Sequence, residues 1–318
     1  MEKFPYLCGV VDTYNTTTSP KTKLKMKRII TALLCLCALP ALVSAQLLWK
    51  VTPPSGGPVS YILGTHHVAP AGMIDKVKGL RQAISEVTTV FGELDMADLT
   101  SPEGQQKMMA HVLAPADSLL TSVLSPAQID SVNTLLESYT GQAGLAAQMA
   151  ALKPVMVTNQ LAIFQSMNAF PDFDPTDQFD TQVQSAALAA GKAVKGLETA
   201  EFQWSLLFDT PIAEQAEDLM KNVRLNDAAV AKARELAEAY IAGNLDLMLS
   251  IMEDPEIGMD EETADKLINQ RNSDWSDILV GLIPTSSILV AVGAGHLPGD
   301  KGLLSLLRDK GFTVTPTE

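Results

Sequence analysis

The chain has 318 residues, a hydrophobic fraction of 47% and a charged fraction of 19%. This composition is typical of a folded protein with a large core, and it excludes a disordered chain. The formal net charge of −14 repels phosphate backbones, which argues against nucleic acid as a partner.

The first 45 residues have the pattern of an export signal. A stretch rich in Lys and Arg, residues 21–28, precedes the apolar run Ile29–Leu42, and small residues stand at positions 43–45. This order predicts signal-peptidase cleavage before Gln46. Met26 is the expected start, with residues 1–25 upstream of it. A genuine N-terminal extension is the alternative to that start, and an uncleaved anchor is the alternative to cleavage, although the apolar run is short for a bilayer.

Cleavage at this point would change both the cysteine content and the charge. Cys8, Cys35 and Cys37 all lie in the segment that is removed, so the mature chain is expected to have neither a disulfide nor a cysteine nucleophile. Loss of six basic and two acidic residues takes the formal net charge from −14 to −18. We expect a periplasmic or extracellular protein with no membrane span after cleavage.

The mature chain begins with a predicted β-hairpin. Leu47–Val51 and Val59–Leu63 are rich in β-forming residues, and a Pro- and Gly-rich turn separates them. Helical spacing follows over Ala71–Val87, and Thr88–Leu94 is the third predicted strand. The first helix is thus expected to link two strands of one sheet.

Helical patterns dominate the middle of the chain, over about residues 100–190 and 200–282. Ser101, Ser125 and Asp174 stand where helix N-caps are expected. A short strand, Ala193–Leu197, separates the two helical stretches.

Strands return near the carboxyl end, at Ser287–Val292 and Phe312–Thr315, with a helix over Lys301–Lys310 between them. The simplest packing joins the N- and C-terminal strands in one central mixed β-sheet covered by the helical insertion. We therefore predict an α+β (α/β) fold, with residues 46–318 as one domain.

Two Gly-x-x-His turns, Gly64–His67 and Gly293–His296, each follow a predicted strand directly. Glycine allows close approach of other groups, and ligands of open α/β sheets bind beyond the carboxyl ends of the strands. These turns contain three of the four histidines, including His66, and leave only His111 elsewhere. A functional role is therefore favoured over a structural one for this pair.

Two acids also follow a strand, at Glu93 and Asp95. Their spacing places both carboxylates on the same side of the chain. With the two histidines they form a nitrogen and oxygen donor set that suits Zn, Mn, Co or Fe, and open positions on such a metal would activate water. The alternative is a helix cap or a solvated acid, which is a stronger alternative for Asp95 than for Glu93.

Four further residues are candidates for the same site. Glu198 follows a strand and could bind metal, act as a general base or cap a helix, and Asp180 could cap a helix or reach the site. Arg271 and Asn272 lie in a helical stretch. A buried Arg271 could neutralise the acids or hold a carbonyl oxygen of the substrate, and a surface ion pair is the alternative.

Two other chemistries are not supported by the pattern. The acids at positions 172, 174 and 177 lack the central Gly and the bidentate Glu of an EF-hand. The chain also lacks a Gly-x-Ser-x-Gly elbow for serine catalysis.

Taken in chain order, these motifs resemble the TraB/GumN family over about residues 46–318. No motif is specific alone, but the ordered set is. The matching segments are Leu48–Val51, Tyr61–His67, Gly92–Asp95, Gly196–Thr199 with Gln203, Arg271–Asn272, and Val292–Gly299 with Gly302–Leu303.

The resemblance implies a fold shared with the TIKI proteases and, more distantly, with erythromycin-esterase-like and ChaN-like proteins. TIKI proteases are peptidases that depend on Mn or Co and use the two Gly-x-x-His histidines and a glutamate. By position these residues are His67, His296 and Glu93. His66 is an additional histidine within the first motif, so either imidazole of that pair could contact the metal.

We therefore expect a secreted metal-dependent hydrolase, most simply a peptidase, that acts on a peptide or protein. His67, His296 and Glu93 are the expected ligands of a divalent Mn, Co or Zn ion. Glu198 is expected as a further ligand or base, and Arg271 as an oxyanion donor. The supporting residues are His66, Asp95, Asp180 and Asn272. The alternative is a non-catalytic binding or regulatory protein that uses the same cleft.

Overall fold

A computed structural model describes residues 46–256 and 258–317. The predicted signal segment, residues 1–45, lies outside the described residues. Among those residues, no helix is both long enough and apolar enough to cross a membrane.

Six strands form one mixed sheet in the spatial order β4-β3-β5-β2-β1-β6. β4, β3, β5 and β2 are parallel neighbours, whereas β1 is antiparallel to both β2 and β6. The strands from the two ends of the chain thus meet in one sheet, as predicted. The strands are β1 (Leu48–Thr52), β2 (Ser60–Thr65), β3 (Thr89–Gly92), β4 (Ala193–Gly196), β5 (Ile288–Gly293) and β6 (Thr313–Pro316).

The helices fill the rest of the chain, and most lie between β3 and β5. A π-helical segment, Asp265–Asn269, leads directly into the helix that carries Arg271 and Asn272, and a 3-10 turn, Ala294–His296, follows β5. The α-helices are α1 (Met73–Lys76), α2 (Leu80–Glu86), α3 (Met96–Thr100), α4 (Pro102–Val112), α5 (Leu120–Val123), α6 (Pro126–Thr140), α7 (Leu145–Gln148), α8 (Pro154–Met167), α9 (Phe179–Ala189), α10 (Ala200–Phe208), α11 (Ile212–Arg224), α12 (Asn226–Ile241), α13 (Leu245–Met252), α14 (Glu261–Ala264), α15 (Gln270–Leu282) and α16 (Leu303–Asp309).

The predicted α+β fold, with a central mixed sheet and a large helical insertion, is confirmed. β5 lies at the centre of the parallel part, and all of its residues from Ile288 to Val292 are buried. A continuous apolar run of this kind is typical of a parallel strand covered on both faces. Its burial fixes the position of the turn that carries His296.

The predicted helix over Ala71–Val87 is two short helices instead. Gly79 separates α1 from α2 and has φ of 81°. This left-handed conformation suits glycine and interrupts the helical hydrogen bonds. The apolar spacing continued across the break, which concealed it.

Two of the three predicted N-caps are confirmed. The Ser101 hydroxyl accepts from the Gly104 amide, and Ser125 forms a reciprocal capping box with Gln128. The prediction for Asp174 is wrong, because its carboxylate accepts from the amide and hydroxyl of Thr176 in a local turn. Such Asp turns use the same short side chain as an N-cap does, so sequence alone does not separate them.

Candidate functional site

The candidate site lies at one edge of the sheet, where four neighbouring parallel strands end. His67 follows β2, Glu93 follows β3, Glu198 follows β4 and His296 follows β5. Because β4, β3, β5 and β2 are parallel, their carboxyl ends share this edge, where α/β sheets bind ligands. The sheet topology therefore brings together side chains that are up to 229 positions apart.

Gly293 forms the floor of a small cradle within this edge. A Cβ atom added at Gly293 would lie 3.3 Å from Oε1 of Glu93, 3.6 Å from Cδ2 of His296 and 4.0 Å from Nε2 of His67. The three predicted metal-binding side chains thus surround one point. Gly64 allows this approach, because a Cβ there would come within 3.0 Å of the Ala294 side chain.

A second-layer amide fixes the orientation and tautomer of the His296 ring. Asn272 Nδ2 donates to the carbonyls of His296 and Lys301, at 3.1 and 2.9 Å. Its Oδ1 therefore accepts from Nδ1 of His296, at 2.7 Å. Burial lowers the pKa of His296 to about 4, although Glu93 opposes the shift. The ring is neutral, and its in-plane lone pair lies on Nε2.

His67 is oriented in a similar way from the other side of the cradle. Its Nδ1 lies 3.4 Å from Oδ2 of Asp180, a buried oxygen without a hydrogen-bond partner of good geometry, and Oδ1 of Asp180 accepts from the Thr65 hydroxyl. This close contact with Asp180, and the charge of its carboxylate, raise the pKa of His67 to about 9, so the ring is protonated at neutral pH. The His67 side chain is 71% exposed, so the site opens to solvent.

Arg271 is the central cation of the site, and its side chain is only 8% exposed. Nε and NH2 donate to the two oxygens of Glu198, at 3.2 and 2.6 Å, and NH2 also donates to Oε2 of Glu93 at 2.7 Å. NH1 donates to the Leu267 carbonyl at 2.9 Å and to Nε2 of His296 at 3.1 Å. All five N–H groups of the guanidinium are therefore engaged within the chain.

Glu93 is buried but remains ionised. Burial raises its pKa, but the neighbouring imidazoles of His296 and His67, the Arg271 guanidinium and the Gly293 amide outweigh burial and hold the pKa at about 2. Oε1 accepts from the Gly293 amide at 2.8 Å and lies 3.8 Å from Nε2 of His296. One lone pair of this oxygen is thus left for another partner.

His66, the second histidine of the first turn, lies outside this cradle. Its ring packs against Phe170 and Tyr240, with centroid distances of 5.0 and 5.2 Å, and Nδ1 accepts from the Val68 amide. Burial lowers its pKa to about 4. Of the two adjacent imidazoles, His67 is therefore the one that faces the cradle.

The remaining predicted residues divide between the site and the helix ends. Asp95 is the N-cap of α3 and accepts from the Ala97 amide, which agrees with the alternative that we left open for it. Glu198 does not cap α10, since Thr199 does so. Its carboxylate instead joins the site through Arg271.

Three further side chains contribute to the site, and the sequence analysis gave none of them a role there. Thr65 is the last residue of β2 and donates its hydroxyl to Oδ1 of Asp180, the same carboxylate that contacts His67. Gln203 donates to both Glu93 and Glu198, at 3.1 and 3.0 Å. Trp275 lies 4.6 Å from the Arg271 guanidinium and also packs on His296. Its spacing of four residues from Arg271 on a helix was the available signal.

The cradle offers two donor atoms that suit a divalent cation, Oε1 of Glu93 and, once His67 has lost a proton to the incoming ion, Nε2 of that ring. Across the described residues, no group of three or more His, Cys, Asp or Glu side chains is already arranged to hold a metal ion. The third candidate donor, Nε2 of His296, faces the same cradle but accepts from Arg271. The residues fit a metal ion on the condition that this hydrogen bond is exchanged for coordination.

Comparison with known proteins supports one family. The model of the TraB/PrgY/gumN family matches residues 47–316. No curated protein and no solved structure matches the chain.

Proposed function

The chain belongs to the TraB/PrgY/gumN family, and from this premise we propose that it is an exported metal-dependent hydrolase, most simply a peptidase. One observation carries the proposal. Two imidazoles from different strand ends each place Nδ1 near a side-chain oxygen, that of Asp180 or of Asn272. Nε2 of His67 faces the cradle at Gly293, and Nε2 of His296 lies 3.8 Å from Oε1 of Glu93 in the same cradle. Histidine ligands of metal ions commonly have this second-layer arrangement, which fixes the tautomer and directs the other nitrogen at the metal.

The proposed ligands are Nε2 of His67, Nε2 of His296 and Oε1 of Glu93. Three protein ligands of nitrogen and oxygen type, with a position left open, are typical of catalytic rather than structural zinc sites, and the same donors suit Mn and Co. Such an ion supplies a Lewis acid and lowers the pKa of water at the open position.

Asp180 and Asn272 act through the histidines, as positioning residues. Asp180 holds the His67 ring by its Nδ1, and the Thr65 hydroxyl fixes the carboxylate in turn. Asn272 keeps the proton of His296 on Nδ1, so that Nε2 remains a donor to the cradle. Both contacts raise the basicity of the coordinating nitrogen.

Glu198 and Arg271 have different immediate roles from those expected. Both oxygens of Glu198 accept from Arg271, and Oε1 also accepts from Gln203. The role of base or ligand for Glu198, and that of oxyanion donor for Arg271, therefore stay predictions. Each requires the residue to exchange an existing contact for the substrate.

The exposure of one side of the cradle supports a large substrate. The His67 side chain is open to solvent, so an extended peptide can reach the cradle without the opening of a buried cavity. The acidic net charge of the chain argues against nucleic acid as the substrate. Export of the chain, by the signal predicted at residues 1–45, would place this activity in the periplasm or outside the cell.

A peptide-cleavage screen of the purified mature chain, loaded in turn with Mn²⁺, Co²⁺ and Zn²⁺, tests the proposal. We expect cleavage with at least one ion, its loss in His67→Ala and Glu93→Gln, and its retention in His111→Gln. His111 is the matched control, since it pairs with Asp209 in the helical insertion. Absence of cleavage with every ion, or equal cleavage by the Glu93 variant, would contradict a metallopeptidase.

A second candidate is a binding or regulatory protein that uses the same cleft without turnover. The observation that favours it is the saturation of Arg271, whose N–H groups all have acceptors within the chain. Without a free donor, the site has no obvious group for a developing oxyanion. This candidate predicts saturable peptide or metal binding with no product, and mass spectrometry of the incubated peptides separates the two.

A further inference from the structure

We propose that Arg271 is an internal cation that holds the metal site closed, and that an ion enters only when the guanidinium gives up His296 and Glu93. The inference rests on the proposed metal-binding function and adds a regulatory step to it. The ion and the guanidinium would be alternative partners of the same two side chains.

A metal ion and Arg271 would compete for one lone pair, that on Nε2 of His296. Asn272 fixes the His296 proton on Nδ1, so Nε2 has a single lone pair in the plane of the ring. NH1 of Arg271 occupies that lone pair, at 3.1 Å. A metal ion bound to Nε2 must therefore replace this hydrogen bond.

Arg271 also balances the charge of two buried carboxylates. Glu93 and Glu198 have side chains only 12% and 8% exposed, and both pair with NH2 of Arg271 at 2.7 and 2.6 Å. Buried carboxylates require a compensating cation. Arg271 supplies that cation when no metal is bound, and a divalent ion at Glu93 would repel the guanidinium across a short, poorly screened distance.

The Arg271 guanidinium need not leave the site completely for a metal ion to bind. Glu198 holds Arg271 through two separate hydrogen bonds, from Nε and NH2. Only the contacts with His296 and Glu93 have to break, so Glu198 can act as a pivot on which the guanidinium turns. The guanidinium carbon also lies 4.6 Å from the centre of the Trp275 ring, and this cation–π contact stabilises the charge while the guanidinium turns.

The backbone beside Arg271 is also unusual. The π-helical segment Asp265–Asn269 ends immediately before α15, and the Leu267 carbonyl in this segment accepts from NH1 of Arg271. Isolated π-helical turns interrupt regular helices and are frequent at functional sites. Arg271 is therefore the second residue of α15, next to the point where the helical hydrogen-bond pattern changes.

Isothermal titration of Mn²⁺, Co²⁺ and Zn²⁺ into the metal-free mature chain tests the inference through affinity, independently of activity. The key variant is Arg271→Lys, which keeps the positive charge but lacks the planar fork that reaches several acceptors at once. We expect it to bind the ion at least tenfold more tightly than the wild type, and Arg271→Gln more tightly still. Arg81→Gln, which alters an exposed pair with Asp75, is the control and should leave the affinity unchanged.

A second measurement uses the unaltered protein, in case the Arg271 variants do not fold. Zn²⁺ is added to ¹⁵N-labelled wild type, and the Nε–H resonance of Arg271 is followed by NMR. We expect it to shift in step with ion binding, whereas the Arg81 resonance stays in place.

The outcomes distinguish failure of the role proposed for Arg271 from failure of the proposed metal-binding function. Unchanged or weaker affinity in the folded Arg271 variants, or an Arg271 resonance that stays unmoved at saturation, overturns this inference alone. Failure of all the proteins to bind any of the three ions overturns the metal-binding function as well.

Discussion

Replacement of Asn272 by Leu removes the side chain that holds His296 in place. Asn272 is completely buried and makes three hydrogen bonds, one with Nδ1 of His296 and two with the carbonyls of His296 and Lys301. Each partner left buried without a hydrogen bond costs roughly 1–3 kcal/mol. Both groups of His296 are buried, whereas the contact with the Lys301 carbonyl is only partly so. We therefore expect a loss of roughly 2–6 kcal/mol in the free energy of unfolding, which lowers Tm by roughly 4–12 °C at about 2 °C per kcal/mol.

The same substitution should weaken metal binding. Loss of a second-layer partner of a coordinating histidine typically costs 10- to 100-fold in affinity, so we expect an effect of about that size here. Urea unfolding gives the stability, and isothermal titration with Zn²⁺ gives the affinity at a temperature where the variant is folded. Asn269→Leu is the matched control, because its side chain makes only an exposed, 3.4 Å contact with Asp265.

Two results would refute this reasoning. A loss of less than about 1 kcal/mol would mean that the two buried hydrogen bonds with His296 are not formed as described. An unchanged metal affinity in the folded Asn272 variant would mean that the His296 ring is not oriented by Asn272.

Three further predictions concern the cradle, the tyrosines and a helix cap. Gly293→Ala adds a methyl group between the candidate ligands at a backbone conformation that alanine tolerates, with φ of −51°. We expect a fall in Zn²⁺ affinity of roughly tenfold or more and a loss of stability of about 1 kcal/mol, because Glu93 must shift to relieve the 3.3 Å contact. A variant that binds normally would refute the cradle. Burial raises the pKa of Tyr61, to about 12, and those of Tyr139 and Tyr240. Because these folded values exceed the unfolded one, their stabilisation is present below pH 10 and is lost as the pH rises through the folded values. Tyrosinate absorbance of the mature chain should therefore lag behind that of the urea-unfolded chain, and identical curves would contradict the burial. Ser125→Ala removes the capping box of α6 and should cost about 1 kcal/mol by urea unfolding, whereas no loss would mean that the cap is not formed in solution.

Local patterns predicted the parts of the fold that depend on neighbouring residues. The β1–β2 hairpin, the strand-end position of Glu93 and the two Gly-x-x-His turns could be identified from apolar alternation and turn residues. The break at Gly79 could not, since the apolar spacing of one helix continued into the next.

The contacts within the site could not be predicted in the same way. Whether Arg271 reaches Glu198, 73 positions earlier, depends on how α15 packs across the sheet edge. The assignment between His66 and His67 depends equally on tertiary packing, because Phe170 and Tyr240 enclose one ring and Asp180 faces the other. The parallel pairing of β2 with β5 brings His67 and His296 together, and it joins strands from opposite ends of the chain.

Pulsed EPR of the Mn²⁺-loaded mature chain tests the central claim most directly, because it detects the nitrogen nuclei bound to the ion. The account predicts two imidazole nitrogens on one Mn²⁺ ion in the wild type, and one in either His67→Ala or His296→Ala. His66→Ala and His111→Gln should keep both. A spectrum without imidazole nitrogens, or one that neither the His67 nor the His296 variant alters, would contradict a metal centre built on the two Gly-x-x-His turns.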